Sequence, residues 1–354
     1  MLVVWTAVIG VLSALIRVGV HLALQVEGPG ADGPLSTQDM TGRLMFGLIA
    51  CLVLSLGSLM VPALSATSVN GDRTTGVLAT MQTTLLSPAE IAVGKLLAAW
   101  TTALALLVTA SPFIGWAYLH GGTPGARLVA TLGVLALTLL VVCAIGVGWS
   151  AVTSRTSSST VLTYLTVAVL GPGLPLVFSL CLPLVQEQDT VWVRQAFTAT
   201  APEPPALAGD RSVLSDPGVT QARTCVESRQ RIQRSHTERI WWLLAPSPYV
   251  VVADAGPRPL GQAPTLFRTD PLTLIRDGVR EARLGPPVTE NWCDGPGTES
   301  TERRAARQLQ RDRLAAIWPY GLLADLLVGG VFVGIAVRRL RAPIGRLPRG
   351  IRVC

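Results

Sequence analysis

Six long apolar blocks alternate with short polar connections, and one long polar stretch interrupts the series before the last block. The blocks cover about residues 2–25, 44–66, 94–118, 128–152, 160–185 and 316–337. Each reaches the roughly 20 residues that a helix needs to cross a hydrocarbon core. They predict an all-α polytopic membrane protein with six transmembrane helices. Residues 1–185 carry the first five spans, with a polar elbow at 67–93 between spans two and three. Residues 186–314 form a large extracellular segment, 315–337 the sixth span, and 338–354 a basic tail. The first block lacks a basic leading region and a small-residue cleavage site, so it reads as a span and not as a signal peptide.

Local signals refine this layout. Pro62 near the end of span two loosens the turn leading into the elbow. Gly171–Pro175 (GPGLP) predicts a break in span five. Residues 199–220 are rich in Pro, Gly, Ser and Asp and read as a linker. The apolar stretch 239–257 is too short to span and is interrupted by Pro246 and Pro248. It predicts a re-entrant or interfacial hairpin with Trp241, Trp242 and Tyr249 at headgroup level. Asp270 and Pro271 start a helix over 270–285, with Leu274, Val279 and Ala282 as its apolar stripe. Residues 302–318 predict a basic helix that enters the last span.

Composition agrees with a membrane protein. The chain is 49% hydrophobic and 14% charged, with mean hydropathy +0.47, against about 25% charged residues in soluble domains. The net charge of +7 suggests a nucleic-acid or lipid surface until it is located. Residues 186–314 hold 17 Arg against 16 acidic residues, whereas the tail after Val337 holds six Arg and no acid. The excess is one juxtamembrane tail, which the positive-inside rule places in the cytoplasm. Both termini are then cytoplasmic, as are loops 67–93 and 153–159 with Arg73 and Arg155. Nothing points to a nucleic-acid partner.

Two charges fall within spans, Arg17 and Asp325. Such charges are costly and face a partner or a cavity, so Arg17 either snorkels to the headgroups or pairs with Asp325. Cys51, Cys143 and Cys181 lie in spans and pack as small hydrophobes. Cys225 and Cys293 are the pair in the extracellular segment, where an oxidising compartment permits a disulfide; two separate thiols are the alternative.

Several chemistries are excluded. Lys95 is the sole lysine and lacks the glycine and hydroxyl that a phosphate-binding P-loop needs around it. The three histidines (His21, His120, His236) are scattered, without metal-ligand spacing, so no metal is expected. Gly148-Trp149-Ser150-Ala151-Val152 lacks the second glycine of a hydrolase elbow. No catalytic residue is assigned, and an enzyme is not expected.

The elbow is the informative part. Asn70 and Gly71 turn the chain, and Asp72 caps a short helix through Thr75 to Met81. Leu78 and Met81 form an apolar face beside Arg73. Ser87, Pro88 and Glu90 form a second helix start with a capping box, and that helix continues through Lys95, an anchor at the membrane edge. The elbow suits a soluble partner's groove.

Val61-Pro62-Ala63, then Asn70 to Met81 (NGDRTTGVLATM), then Thr84 to Ala98 (TLLSPAEIAVGKLLA) resemble the permease subunits of ABC-2-type ABC transporters, including actinobacterial members. Their pattern is approximately E-R-x-x-G-T-L-x-x-L followed by T-P-L-S-x-x-E-I-x-x-G-K. Asp72, Arg73, Gly76, Leu78, Ser87, Glu90, Ile91, Gly94 and Lys95 fall on matching positions. Asp72 stands for the usual glutamate, Val77 for threonine and Leu85 for proline. The resemblance implies a plasma-membrane permease, an exporter, paired with a second copy or a sister permease. It carries no cofactor of its own; ATP is handled by a separate cytoplasmic ATPase subunit. Asp72, Arg73 and Glu90 then make polar contacts or mount the elbow, Leu78 and Met81 form the docking face, and Gly76 allows close approach. The other reading is a membrane anchor or sensor subunit whose extracellular segment binds a ligand or partner.

Overall fold

The computed structural model describes residues 2–26, 37–74, 87–119, 125–198, 223–256, 270–287, 289–292 and 301–341. The chain divides into two compact units. One comprises residues 1–180, 241–280 and 315–354, and the other comprises 181–240 and 281–314.

The first unit is a bundle of mostly apolar helices: α1 (Leu2–Val26), α2 (Thr37–Ser65), the short polar α3 (Ser68–Thr74), α4 (Pro88–Leu119), α5 (Gly125–Val152), α6 (Thr156–Ala168), α7 (Leu174–Cys181), α8 (Pro248–Ala255), most of the amphipathic α9 (Pro271–Leu284) and α11 (Trp318–Leu340). Among the described residues, five helical stretches are long and apolar enough to cross a membrane: Leu44–Asp72, Pro88–Leu119, Gly125–Val152, Thr156–Val185 and Trp318–Leu340. The protein is thus a helical polytopic membrane protein. In α1, Trp5, Ile9 and Ser13 are buried, four residues apart, while Val3, Val4, Val11, Leu15 and Leu22 are exposed. That division gives the helix one packed face and one open, apolar face. The Trp5 indole N–H donates to the Leu106 carbonyl at 3.0 Å.

Helix α5 is the most deeply packed element, buried without interruption from Val141 to Gly148. Small residues allow this close approach. A Cβ on Gly148 would fall 2.6 Å from Phe332 Cδ1 of α11, and one on Gly146 would overlap the Ser65 side chain of α2. Gly148→Val is expected to lower stability by about 1–3 kcal/mol through overpacking, read as an earlier thermal unfolding midpoint in detergent. An unchanged midpoint would show that the α5–α11 seam is looser than this contact.

The break anticipated at 171–175 is a single π turn, Val169–Gly173, in which the Leu174 N–H reaches the Val169 carbonyl. Pro172 has no N–H to give, so the ladder widens by one residue and resumes in α7.

The 239–257 stretch differs from the interfacial expectation in one respect. Trp242 is exposed, but Tyr249 turns inward and its hydroxyl lies 3.1 Å from Ser55 Oγ of α2. Helix α8 is buried from Val250 to Ala255; its apolar residues follow one another without a polar stripe, which suits a packed helix better than an interfacial one.

In α9 the expected cap is present, with the Thr273 N–H donating to Asp270 Oδ2 at 3.0 Å. Its expected stripe is only partly correct. Val279 and Ala282 are buried, but Leu274 is exposed, and the inner face carries Leu272, Arg276 and Arg280. The basic helix α10 (Thr301–Arg313) does not run into the last span either. It ends before Leu314, and α11 starts at Trp318, because the Asp254 carboxylate accepts the backbone N–H groups of Ile317 (2.6 Å) and Trp318 (3.0 Å). Those hydrogen bonds hold a new helix N-terminus in place.

The second unit corrects the all-α expectation. It contains β1 (Gln186–Thr198) and β2 (Arg223–Ser235), paired antiparallel with Gln186 opposite Ser235 and Thr198 opposite Arg223. A short β3 (Thr289–Trp292) lies parallel on the other edge of β1, giving the order β2-β1-β3. The local cue was Val191-Trp192-Val193-Arg194, whose buried and exposed residues alternate with the period of a strand. Arg194 Nε donates to Glu227 Oε1, directly opposite, at 2.6 Å, and Arg229 lies over the ring of Trp192, also opposite. Cys225 on β2 is disulfide-bonded, whereas Cys293 lies outside the described residues. Cys51, Cys143 and Cys181 are free thiols.

Candidate functional site

The described root of the elbow is held from three directions. Asn70 and Gly71 do not turn the chain as expected. They lie within α3, with Asp72 in its interior, and the helix expected from Thr75 to Met81 lies outside the described residues. The first turn of any helix presents N–H groups without intrahelical acceptors. Here one side chain from another span meets two of them: Ser150 Oγ of α5 accepts from Val69 N (3.0 Å) and Asn70 N (3.1 Å). Ser150, which fails the pattern of a hydrolase nucleophile, thus acts as a cap supplied across the bundle. The Asn70 amide donates to Thr153 Oγ1 at 3.1 Å, and Ser159 Oγ of α6 donates to the Ala66 carbonyl at 2.7 Å.

The third hold is an ion pair between Asp72 and Lys95 of α4. Lys95 was expected to be a lone membrane-edge anchor, but it ties the end of α3 to the start of the next span. Both side chains are about a fifth exposed, so the pair contributes geometry more than stability. The capping box at the start of α4 is present as expected: Ser87 N donates to Glu90 Oε2 at 2.7 Å, and Glu90 N to Ser87 Oγ at 3.3 Å. Gly76, Leu78 and Met81 lie outside the described residues, as does the Arg73 side chain.

The two charges expected within spans, Arg17 and Asp325, are not brought together. Arg17 is exposed, and its guanidinium lies 4.7 Å from the centroid of the Trp116 ring. Asp325 is 1% exposed, and neither of its oxygens has a hydrogen-bond partner. It lines a cavity of about 410 Å³ within the helical unit.

A buried ion pair that sequence reasoning missed links Asp254 and Arg280, with Nε and Nη2 of the arginine at 2.9 and 2.7 Å from Oδ1. In the second unit, Glu187, Asp189 and His236 bring ligand-type atoms within 4.8 Å of one another. Two of the three residues also meet partners outside the group. His236 meets Glu238 Oε1 at 2.7 Å and Asp189 Oδ2 at 3.0 Å, and Arg239 engages Glu187. The hydrogen bond to Glu238 raises the His236 pKa above its ordinary 6.5, reinforced by the charges of Glu238 and Asp189 against the opposing effect of burial. A raised folded pKa stabilises below the unfolded value and loses that contribution as pH rises through the folded one. His236→Gln is therefore expected to reduce amide protection in β1 and β2 at about pH 6 and to change it little at about pH 9. Hydrogen exchange on the two proteins, compared at each pH, checks this; equal losses at both would remove the charge from the account.

No family model, no curated protein and no solved structure matches this chain.

Proposed function

We propose that this chain is the permease subunit of an ATP-binding-cassette transporter, an ABC-2-type exporter working in the plasma membrane. It forms the translocation path, has α1 as a sixth span, and keeps both termini cytoplasmic and the 186–314 segment outside. ATP binding and hydrolysis belong to a separate cytoplasmic ATPase subunit, and a second permease copy or a sister permease completes the transporter.

The observation that supports this reading most is the way the elbow root is fastened. A loop that merely joined two spans would need no such anchorage. Here α3 is capped by α5 and paired with α4 through Asp72 and Lys95, and the turn before it is linked to α6 through Ser159 and the Ala66 carbonyl. Any displacement of the elbow is thereby transmitted to three spans at once. Coupling requires an element whose two positions have different energies in the two states of the partner, and a handle with rigid roots meets that need.

Arg73→Glu and Gly76→Trp are expected to abolish the stimulation of ATPase activity by transport while leaving membrane insertion intact. Full stimulation in both would remove the coupling role from the elbow. A second reading, a membrane anchor or sensor subunit, is favoured by the sheet-bearing second unit, whose thirteen-residue hairpin strands exceed what a conduit needs. Co-purification of an ATP-binding-cassette subunit with this chain separates the two.

A further inference from the structure

The geometry points to the cavity beside Asp325 as a binding site for an organic monocation with a bulky apolar body. The cavity, about 410 Å³, falls in the size range of small-molecule sites, roughly 300–1,000 Å³. Its walls come from α2, α5, α6, α8 and α11 and are largely aliphatic. Asp325 is the one charged side chain among its lining residues, and both carboxylate oxygens are buried without a hydrogen-bond partner.

The lining has no proton donor to offer that carboxylate. Five hydroxyls face the cavity, and each is committed elsewhere. Ser55 donates to the Cys51 carbonyl, Ser58 to the Ser55 carbonyl and Thr138 to the Val134 carbonyl, all at 2.8 Å, and Tyr164 donates to the Leu59 carbonyl at 2.7 Å. Because the Ser55 proton is spent, Tyr249 must be the donor in its 3.1 Å contact with Ser55 Oγ. A buried carboxylate is costly unless paired, so this one is complementary to a ligand that brings its own positive charge. A metal ion fits poorly, because hard cations take six or more oxygen ligands and the walls offer mostly methyl groups. A lipophilic ammonium or phosphonium satisfies both the carboxylate and the apolar wall, and the rings of Tyr164 and Tyr249 are suited to cation contact. The assignment gives the transport reading a substrate class; it rests on that reading for the transport step, not for binding itself.

Equilibrium binding of radiolabelled tetraphenylphosphonium to the full-length chain in phosphatidylcholine nanodiscs tests it, since this cation keeps its charge at every pH. Saturable binding is expected, weakened roughly 30-fold or more in Asp325→Asn and retained in Asp325→Glu. Neutral triphenylphosphine oxide is expected to compete far more weakly on the unaltered chain, a comparison that needs no variant to fold. Absent saturable binding, equal affinity in Asp325→Asn (as for a carboxyl that simply stays protonated), or equal competition by the neutral compound would overturn the site. Asp325-dependent binding, together with failure of any ATP-binding-cassette subunit to co-purify with the chain, would keep the site and sink the transporter reading.

Discussion

Asp254→Ala is expected to destabilise the protein by about 3–5 kcal/mol, the cost of removing one partner from a buried ion pair. Arg280 would remain fully buried opposite an empty position, since the pair is 0% and 1% exposed. The same carboxylate also accepts the N–H groups of Ile317 and Trp318 through its other oxygen. Its loss therefore uncaps the start of the last span as well, adding about 1 kcal/mol. The sum is a large share of the roughly 5–15 kcal/mol that keeps a protein folded, so the variant should accumulate poorly. Asp254→Asn distinguishes the two contributions, because an amide oxygen can still accept from the backbone but cannot neutralise Arg280. It is expected to fall between the parent and the alanine variant in thermal unfolding followed by tryptophan fluorescence. If the asparagine variant matched the parent, the charge would contribute nothing and the cap everything.

Ser150→Ala is the second large effect. It leaves two buried N–H groups, those of Val69 and Asn70, without acceptors, and each unsatisfied donor costs about 1–3 kcal/mol. The cost is local. Helix α3 has only seven residues, too few for an isolated helix to persist, so its first turn should open while the spans remain packed. Hydrogen exchange of residues 66–74 is expected to accelerate strongly, with the global unfolding midpoint moving much less. If the elbow is the coupling handle, the same variant loses transport-stimulated ATPase activity. Unchanged exchange at 66–74 would mean that the cross-bundle cap is not what holds α3.

The two effects also show where sequence reasoning reached and where it stopped. Ser87 and Glu90 are three residues apart, and the Asp270 cap contacts an N–H three residues on; signals that short are complete in the local sequence. The Ser150 cap acts across 81 and 80 residues, and Tyr249 reaches Ser55 across 194. Nothing in the chain near Ser150 separates a polar cap from a serine facing lipid. The hairpin was missed for a related reason. In β1 just Val191-Trp192-Val193 alternates visibly, while β2 is mostly polar and arginine-rich, so its strand state rests on pairing with β1 and not on its own pattern.

The amino-acid order alone established a helical membrane protein, the approximate extent of five spans, the capped start of α4 and a break in the fifth apolar block, because hydropathy over twenty residues and capping over four are short-range properties. Packing decided which polar residues inside that apolar frame have partners. It set Asp72 against Lys95 and Asp254 against Arg280, and it placed Arg17 on Trp116 while leaving Asp325 facing a cavity without a partner. A charge in a span announces that it must be answered, but only the fold brings, or withholds, the group that answers it.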